Sequence, residues 1–263
     1  MILAKANELK ADIGFRQQLW QAHQENKTDL CKFLEKWRLD KNLFTICWAR
    51  RVAAYKRPSL ILYDIERLVR LTEKFGPLQI ILAGKSHPND NLGFTYINEM
   101  LDKVDKLKGD YNKLKIIVLE NYDIYMGKML TSGVDVWLNN PLPPFEASGT
   151  SGMKAIANGV LQMSTVDGWV AEATDRKIGV FFGYQNSEGS VGNESDLHMY
   201  EDSEKLYTAL EGMVQLYYRT NQQDKVDFSS EWIDMMIECI CTAGKFNTYR
   251  MLDQYKKLIW KMA

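Results

Sequence analysis

Four basic residues lie within eight positions, directly after an apolar run of strand length. They are Arg50, Arg51, Lys56 and Arg57, and the run is Leu43–Ala49. Arginine offers a planar fork of N–H donors and lysine a compact positive charge, and proteins use both to bind phosphate. At the carboxyl end of a buried strand these cations favour an anion site. A solvated turn held by surface salt bridges is the alternative interpretation.

A second candidate segment, from Glu146 to Lys154, reads Glu-Ala-Ser-Gly-Thr-Ser-Gly-Met-Lys. Small residues and glycines before a helix let backbone N–H groups and the helix dipole bind an anion, although the spacing is not that of a Walker A loop. Lys154 lies four residues after Thr150, so both face the same way if they are helical. This spacing suits a small cofactor with a phosphate at one end and an aldehyde at the other, such as pyridoxal phosphate. The alternative is a glycine-rich helix cap followed by an ordinary surface lysine.

Six short apolar runs alternate with segments of helical periodicity, and these elements must position both candidate segments. The alternation predicts parallel βαβ units and a doubly wound, Rossmann-like α/β sheet. Such sheets bind ligands beyond the carboxyl ends of their strands. The predicted strands are Leu43–Ala49, Leu78–Ala83, Lys115–Glu120, Val134–Leu138, Val160–Thr165 and Ile178–Phe182. The predicted helices between them cover Pro58–Phe75, 92–107, 124–132 and a segment that begins near Met153.

The whole chain, residues 1–263, is predicted to be one domain in three parts. A long amphipathic helix over 14–40 precedes a βαβ core over 41–183, and a helical tail covers 200–263. The tail is predicted to hold three helices with no strand between them. The tail helices are placed over 203–219, 229–243 and 246–262.

Composition excludes several classes of protein. The 33 Lys and Arg residues against 34 Asp and Glu give a net charge of −1, without the basic excess of a dedicated nucleic-acid binder. No apolar stretch has the length of a transmembrane helix and no signal peptide is visible, so we expect no membrane contact. The spacing of the four cysteines does not suit a metal site, and sparse, buried thiols indicate a cytoplasmic protein.

Several segments, in the same order along the chain, resemble the carboxyl-terminal catalytic half of the α-glucan phosphorylases, the glycogen and starch phosphorylase family. The resemblance is to the shorter bacterial and archaeal branch and runs from about residue 15 to the end. Glu146–Lys154 is one of these segments. The others are Tyr55-Lys56-Arg57, Ala83–Pro88, Glu120–Asp123, Gly133–Asn139, Asn158–Trp169 and the tail motif Phe246–Met251.

For the cofactor, the resemblance implies pyridoxal 5'-phosphate. A lysine at the position of Lys154 forms the Schiff base with it, and an aromatic residue like Tyr122 lies near it. Asp167–Trp169 either lines the cofactor pocket or only turns the chain. The cofactor's phosphate is held by residues that match Arg50, Thr150 and Ser151, and Gly152 is a further cofactor-binding position. The longer eukaryotic members have Lys, Gly and Asn at the positions of Arg50, Ser151 and Gly152.

For the substrates, the resemblance implies reversible phosphorolysis of an α-1,4-glucan (glycogen, starch or maltodextrin) by inorganic phosphate. The product is α-glucose 1-phosphate with retained configuration. The implied catalytic residues are Arg51 and Lys56, which bind the substrate phosphate, and Glu146. The transferred glucosyl unit contacts residues that match Tyr55, Glu146, Ser148 and Gly149.

The resemblance also implies a partner domain. Family members have the GT-B glycosyltransferase fold, whose active site lies in a cleft between two Rossmann-like domains, and this chain matches only the second of them. We therefore expect an isolated carboxyl-terminal domain that lacks its amino-terminal domain and is inactive alone. It would come from a cytoplasmic enzyme whose full-length form allows a homodimer.

Two other functions stay open. A nucleotide-sugar glucosyltransferase resembling glycogen synthase shares a basic pair like Arg51 and Lys56 and a glutamate like Glu146. It lacks a lysine at the position of Lys154, because it holds no pyridoxal phosphate. The second alternative is a non-catalytic glucan-binding module that kept the fold but binds neither cofactor nor phosphate.

Overall fold

The protein is described by a computed structural model that covers residues 2–106, 113–183, 196–222 and 225–262. Six parallel strands form its central sheet in the order β3-β2-β1-β4-β5-β6. This is a doubly wound order, so the predicted α/β, Rossmann-like fold with a helical carboxyl-terminal tail is confirmed. The strands are β1 (Phe44–Ala49), β2 (Leu78–Ala83), β3 (Leu114–Leu119), β4 (Val136–Asn139), β5 (Leu161–Thr165) and β6 (Gly179–Phe182).

Both faces of the sheet are covered, which explains why its strands are continuous apolar runs in the sequence. In β1, Phe44, Ile46 and Trp48 pack into one buried apolar cluster, while Cys47 and Ala49 pack into another. Side chains alternate between the two faces along a strand, so a strand that is covered on both faces is apolar throughout.

Helices flank the sheet and form most of the tail. They are α1 (Ile2–Ala11), α2 (Ile13–Phe33), α3 (Ile65–Phe75), α4 (Asn91–Lys106), α5 (Ile124–Gly133), α6 (Ser151–Ala157), α7 (Asp196–Thr220), α8 (Glu231–Ala243) and α9 (Thr248–Gln254). None of the described helices is long and apolar enough to span a membrane, and no group of described side chains is placed to hold a metal ion. A hairpin of β7 (Asn221–Gln222) and β8 (Lys225–Val226) separates α7 from α8. The prediction of a tail without strands was therefore wrong, because two-residue strands leave no alternating pattern in the sequence.

Three predicted helices are clearly longer than the observed ones. The last of them, predicted over 246–262, corresponds to α9, which ends at Gln254 and is followed by a π-helical turn over Tyr255–Ile259. The helix predicted over 14–40 corresponds to α2, which ends at Phe33. A 3₁₀ turn follows it and is closed by Arg38, which has φ of +49°. A left-handed backbone conformation cannot continue an α-helix. The helix predicted from Pro58 begins instead at Ile65, because the Asp64 side chain caps that end by accepting a backbone N–H of the first turn (2.8 Å).

A buried ionic network joins α2 to the amino ends of β1 and β4. Asp135 accepts hydrogen bonds from Lys27 Nζ and from the Thr45 N–H (2.7 Å), and His23 Nε2 lies 2.9 Å from its other oxygen. Lys27 also donates to the Tyr217 hydroxyl (3.1 Å). Burial alone would raise the pKa of the Asp135 carboxyl, but Lys27 and His23 outweigh burial and the pKa is lowered. The sheet is therefore anchored to α2 by an ionised carboxylate at the edge opposite the candidate site.

Candidate functional site

The carboxyl ends of β1 and β4 meet at the centre of the sheet, where the strand order reverses. The two strands pair directly, with Cys47 opposite Trp137. Arg50 follows β1, and the loop that leads to Glu146 follows β4. Doubly wound sheets bind ligands in the crevice outside this switch point. The two candidate segments therefore lie together at this edge of the sheet.

Three of the predicted site residues form a buried ionic cluster there. Glu146 Oε2 accepts hydrogen bonds from Arg50 Nη2 (3.0 Å) and from Lys56 Nζ (2.7 Å), and only 7% of each side chain is exposed. Burial lowers the pKa of the Arg50 guanidinium, and the negative charge of Glu146 opposes this effect. The cluster thus joins a residue expected at the cofactor, one expected at the substrate phosphate and one expected at the glucosyl unit.

Arg50 keeps one donor for a further partner. Its Nη1 is buried and has no hydrogen-bond partner among the residues that the structure describes. Leaving a buried donor unsatisfied costs about 1–3 kcal/mol, so such groups are normally completed by water or a ligand. Arg51, the next residue, is exposed. The Arg50 guanidinium is therefore buried, and the Arg51 side chain is accessible from solvent.

Arg57 does not belong to the anion site that the four cations suggested. Its guanidinium donates to the carbonyls of Asn140 (3.0 Å) and Pro141 (3.2 Å) and to the Asp202 carboxylate. Only 6% of Arg57 is exposed. The prediction was wrong for this residue because its partners lie 83 to 145 positions away, where no local pattern reveals them.

Asp167 holds the loop that carries Glu146. Its carboxylate accepts the backbone N–H groups of Glu146 and Gly168, each at 2.8 Å, and the Trp169 N–H donates to the Ser148 carbonyl (2.9 Å). Burial raises the pKa of the Asp167 carboxyl, and the two N–H donors oppose this rise. From the sequence, Asp167–Trp169 could either line the cofactor pocket or only turn the chain. The structure shows a turn that fixes the Glu146 loop, and a contact of this segment with a cofactor stays a prediction.

Three further positions expected at the glucosyl unit lie around Glu146. Ser148 is exposed, and Gly149 has φ of +76°, which favours glycine. A Cβ at Gly149 would lie 3.1 Å from Glu146 Oε1 and would crowd that carboxylate. Tyr55 is half-buried, and its ring centroid lies 4.8 Å from Lys56 Nζ. The structure therefore brings the predicted substrate residues together.

Helix α6 positions the predicted cofactor residues. It begins at Ser151, earlier than the predicted start near Met153, and Thr150 is its N-cap residue without a side-chain cap hydrogen bond. The Lys154 N–H donates to the Thr150 carbonyl (3.2 Å), and both residues are exposed. The first N–H groups of a helix have no partner inside the helix and can bind an anion. Thr150 and Lys154 thus lie one turn apart on an accessible surface.

Tyr122 follows β3 at the same edge of the sheet. It packs against the apolar cluster that includes Cys47 and Ala155, the residue after Lys154. Burial raises the pKa of its hydroxyl to about 12, so the hydroxyl is protonated at neutral pH. A contact between Tyr122 and a cofactor stays a prediction.

Gly152 is a predicted cofactor position with almost no space for a side chain. A Cβ there would lie 2.8 Å from Gln162 Oε1 and 2.8 Å from an indole carbon of Trp169, whose ring is buried. We therefore expect Gly152→Ala to lower the free energy of unfolding by about 1–3 kcal/mol, measured by chemical denaturation. Gly212→Ala in α7 is the control, because nothing lies within 4 Å of the added Cβ, and it should be neutral or stabilising. Equal stability of the two variants would contradict the tight packing at Gly152.

Most of this chain is similar in sequence to known proteins. A family model described as Carbohydrate phosphorylase matches residues 2–229. The maltodextrin phosphorylase of Thermococcus litoralis is 37% identical over 256 residues, which cover 91% of this chain and 29% of the relative. The glycogen phosphorylase of Aquifex aeolicus is 37% identical over 264 residues, which cover 91% of this chain and 36% of the relative. The liver form of glycogen phosphorylase from Homo sapiens is 25% identical over 316 residues, and the match covers 99% of this chain and 37% of the relative. The chain thus spans about a third of the length of these curated relatives.

Proposed function

The chain belongs to the carbohydrate phosphorylase family, and we propose that it is the carboxyl-terminal catalytic domain of an α-glucan phosphorylase. The proposed reaction transfers a glucosyl unit from an α-1,4-glucan to inorganic phosphate and gives α-glucose 1-phosphate with retained configuration. The observation that carries the proposal is the buried contact of Glu146 with Arg50 and Lys56, four residues before the helix cap that leads to Lys154.

Substrate phosphate is assigned to Lys56 and Arg51. The Lys56 ammonium is held at 2.7 Å from Glu146, whereas the exposed Arg51 can approach a ligand from the solvent side. Two cations that both reach a ligand would favour binding of a dianion, and guanidinium forks fit phosphate oxygens. The bound phosphate would place negative charge beside the oxocarbenium-like transition state of glucosyl transfer and stabilise it.

The glucosyl unit is assigned to Glu146, Tyr55, Ser148 and Gly149. The hydrogen bonds of Arg50 and Lys56 both go to Glu146 Oε2. An ionised carboxylate has about four acceptor positions, so Glu146 retains capacity to accept a sugar hydroxyl. Because Asp167 fixes the Glu146 backbone, this carboxylate is held in place before the sugar arrives.

The residues present fit pyridoxal 5'-phosphate as the cofactor. The buried Nη1 of Arg50 lacks a partner among the described residues, and the start of α6 presents backbone N–H groups, so both suit the cofactor's phosphate. The exposed Lys154 lies one turn further and would anchor the aldehyde end. When bound, the cofactor would supply a second phosphate that can exchange a proton with the substrate phosphate. The proposed cofactor-binding residues are Lys154, Thr150, Ser151, Gly152, Arg50 and Tyr122.

The whole enzyme is proposed to include two further partners. One is an amino-terminal domain that completes the cleft, in line with relatives about three times as long as the matched region. The other is a second subunit in a homodimer. We also propose a cytoplasmic location, where unpaired buried thiols such as Cys47 and Cys239 remain reduced.

Joining this chain to the amino-terminal part of the Thermococcus litoralis maltodextrin phosphorylase tests the reaction. We expect the chimaera to release glucose 1-phosphate from maltodextrin and inorganic phosphate in a pyridoxal phosphate-dependent manner. The matched chimaera with Glu146→Gln should fold and lose most of this activity, because the carboxylate that holds Lys56 is gone. A folded chimaera that retains cofactor but releases no glucose 1-phosphate would contradict the proposed function.

In such a complete enzyme, Arg51→Ala is expected to raise the KM for phosphate by roughly ten- to a hundredfold, since a hydrogen bond to a charged group contributes about 1.5–3 kcal/mol. Cofactor content should not change, because Arg51 is exposed and is assigned to the substrate phosphate alone. Steady-state kinetics and cofactor absorbance measure the two effects separately. The exposed Arg70 on α3 gives a control substitution. Parallel losses of phosphate and cofactor binding would contradict this assignment.

A further inference from the structure

Arg57 follows Lys56 directly and is also buried, and its hydrogen bonds connect two segments of the site. The guanidinium donates to the carbonyls of Asn140 and Pro141, and Asn140 Nδ2 donates back to the Arg57 carbonyl (2.8 Å). The Leu142 N–H donates to the Tyr55 carbonyl (2.7 Å). Four hydrogen bonds therefore attach the turn that carries Lys56 to the segment that follows β4.

The segment after β4 leads directly to Glu146. Leu142 lies four residues before it, and the Phe145 N–H donates to the Leu142 carbonyl (3.1 Å), which forms a tight turn. Lys56 and Glu146 are thus carried by two segments that Arg57 joins at their base. The 2.7 Å contact between Lys56 Nζ and Glu146 Oε2 lies beyond this attachment. A shift of one segment against the other would change that distance.

Asp202 extends the attachment to the helical tail. Its carboxylate, on α7, accepts a hydrogen bond from Arg57 Nη1, and only 1% of the Asp202 side chain is exposed. A buried arginine that pairs with a carboxylate and two carbonyls has its donors satisfied in one orientation. The guanidinium is therefore fixed by the segment after β4 and by the tail together.

We propose that Arg57 is a positioning residue that sets where Lys56 lies relative to Glu146 and thereby tunes phosphate binding. The inference rests on the proposed role of Lys56 at the substrate phosphate. Arg57 itself does not touch the phosphate. Its fork, rather than its charge alone, carries the effect, because two carbonyls and one carboxylate are held by three different nitrogens.

The test is isothermal titration of the 263-residue chain with inorganic phosphate. Arg57→Met is expected to weaken phosphate binding about tenfold, since small displacements of a binding group are costly. Arg16→Met is the matched control. Arg16 is equally buried and donates to the Asp234 carboxylate and to backbone carbonyls, but it links α2 to α8. This control should lose thermal stability comparably and keep the phosphate affinity of the wild type.

If Arg57→Met does not fold, Arg57→Lys and Arg16→Lys replace the pair, because lysine keeps the charge and loses the fork. Where Arg57→Met folds, Arg57→Lys should bind phosphate with intermediate affinity. Equal phosphate affinities of an Arg57 variant and its Arg16 counterpart would overturn the inference and leave the proposed function standing. No phosphate binding by the folded wild-type chain would instead count against the proposed site and against the inference with it.

Discussion

Lys154→Ala abolishes the retention of pyridoxal phosphate and leaves the fold intact; this is the expected result with the largest effect on the site. Lys154 is exposed on α6, so its side chain contributes little to packing. Its place one turn after Thr150 lets it reach the aldehyde of a cofactor whose phosphate lies at the start of the helix. Absorption of the lysine-bound cofactor in the near ultraviolet or violet, after removal of free cofactor, measures retention, and circular dichroism measures the fold.

Borohydride trapping gives the same experiment a covalent readout. In the wild-type chain, peptide mass spectrometry should find the reduced adduct on Lys154. Lys154→Arg keeps the positive charge but cannot form an imine, so it should lose the adduct as Lys154→Ala does. The exposed Lys177 is the control position, and Lys177→Ala should retain the cofactor. An adduct on another lysine, or unfolding of Lys154→Ala, would contradict the assignment.

This result also separates the proposed function from its two rivals. A nucleotide-sugar glucosyltransferase has no use for a lysine that anchors pyridoxal phosphate, so Lys154 variants would show no cofactor-dependent difference. A glucan-binding module would sediment with glucan and bind neither cofactor nor phosphate. Only a phosphorylase requires that the same chain bind the cofactor through Lys154 and bind phosphate through a separate set of cations.

The sheet could be predicted from the sequence because its strands are buried on both faces. The range predicted for β2, Leu78–Ala83, is the observed one, and the predicted β1 differs from the observed strand by one residue. A doubly covered strand is an uninterrupted apolar run, and this signal is local. Helix ends were predicted less well. The start of α3 depends on the Asp64 side chain, and α2 is followed by a 3₁₀ turn, closed by Arg38, that the apolar spacing over 14–40 did not reveal.

For the candidate site, residue types and the edge of the sheet could be predicted, but pairings could not. Glu146 lies 96 positions from Arg50 and 90 from Lys56, so nothing local indicates that one carboxylate oxygen joins them. For the same reason, no local pattern showed that Arg57, unlike Arg50 and Lys56, pairs with groups other than Glu146. Long-range contacts are decided by strand order and loop course, which single residues do not encode.

Asp135 shows that a segment can carry family resemblance and still serve the fold. It lies in Gly133–Asn139, one of the segments on which the resemblance depends, yet its carboxylate is bound by Lys27 and His23 at the edge opposite the candidate site. His23 is far from the other histidines in the sequence, so its partner could not be predicted. The network couples α2 to the amino ends of β1 and β4, the two strands whose carboxyl ends carry the site. It thus supports the sheet on which the site is built.

Asp135→Asn is expected to lower the free energy of unfolding by about 3–5 kcal/mol, because removal of one member of a buried ion pair leaves the other charge uncompensated. Only 1% of the Lys27 side chain is exposed, and without Asp135 its partners would be the Leu43 carbonyl (2.6 Å) and the Tyr217 hydroxyl (3.1 Å). Urea denaturation at neutral pH measures the loss.

The double variant Lys27→Met with Asp135→Asn is the matched control. It removes the buried charge together with its counter-charge, so it should be more stable than Asp135→Asn alone. Asp135→Asn within about 1 kcal/mol of the wild type would contradict the role of the ion pair. So would a double variant that is no more stable than the single one, since the loss would then come from packing rather than from an unpaired charge.

Acid denaturation gives an independent readout of Asp135. Its pKa is lower in the folded chain than the ordinary carboxyl value, and unfolding restores that value. The unfolded chain therefore binds this proton more readily, so the stabilisation is fully present above the ordinary value of about 3.9 and is lost as the pH falls through the folded pKa. The loss of stability on acidification should be smaller in Asp135→Asn than in the wild type. Superimposable pH profiles would contradict an ionised Asp135 in the folded state.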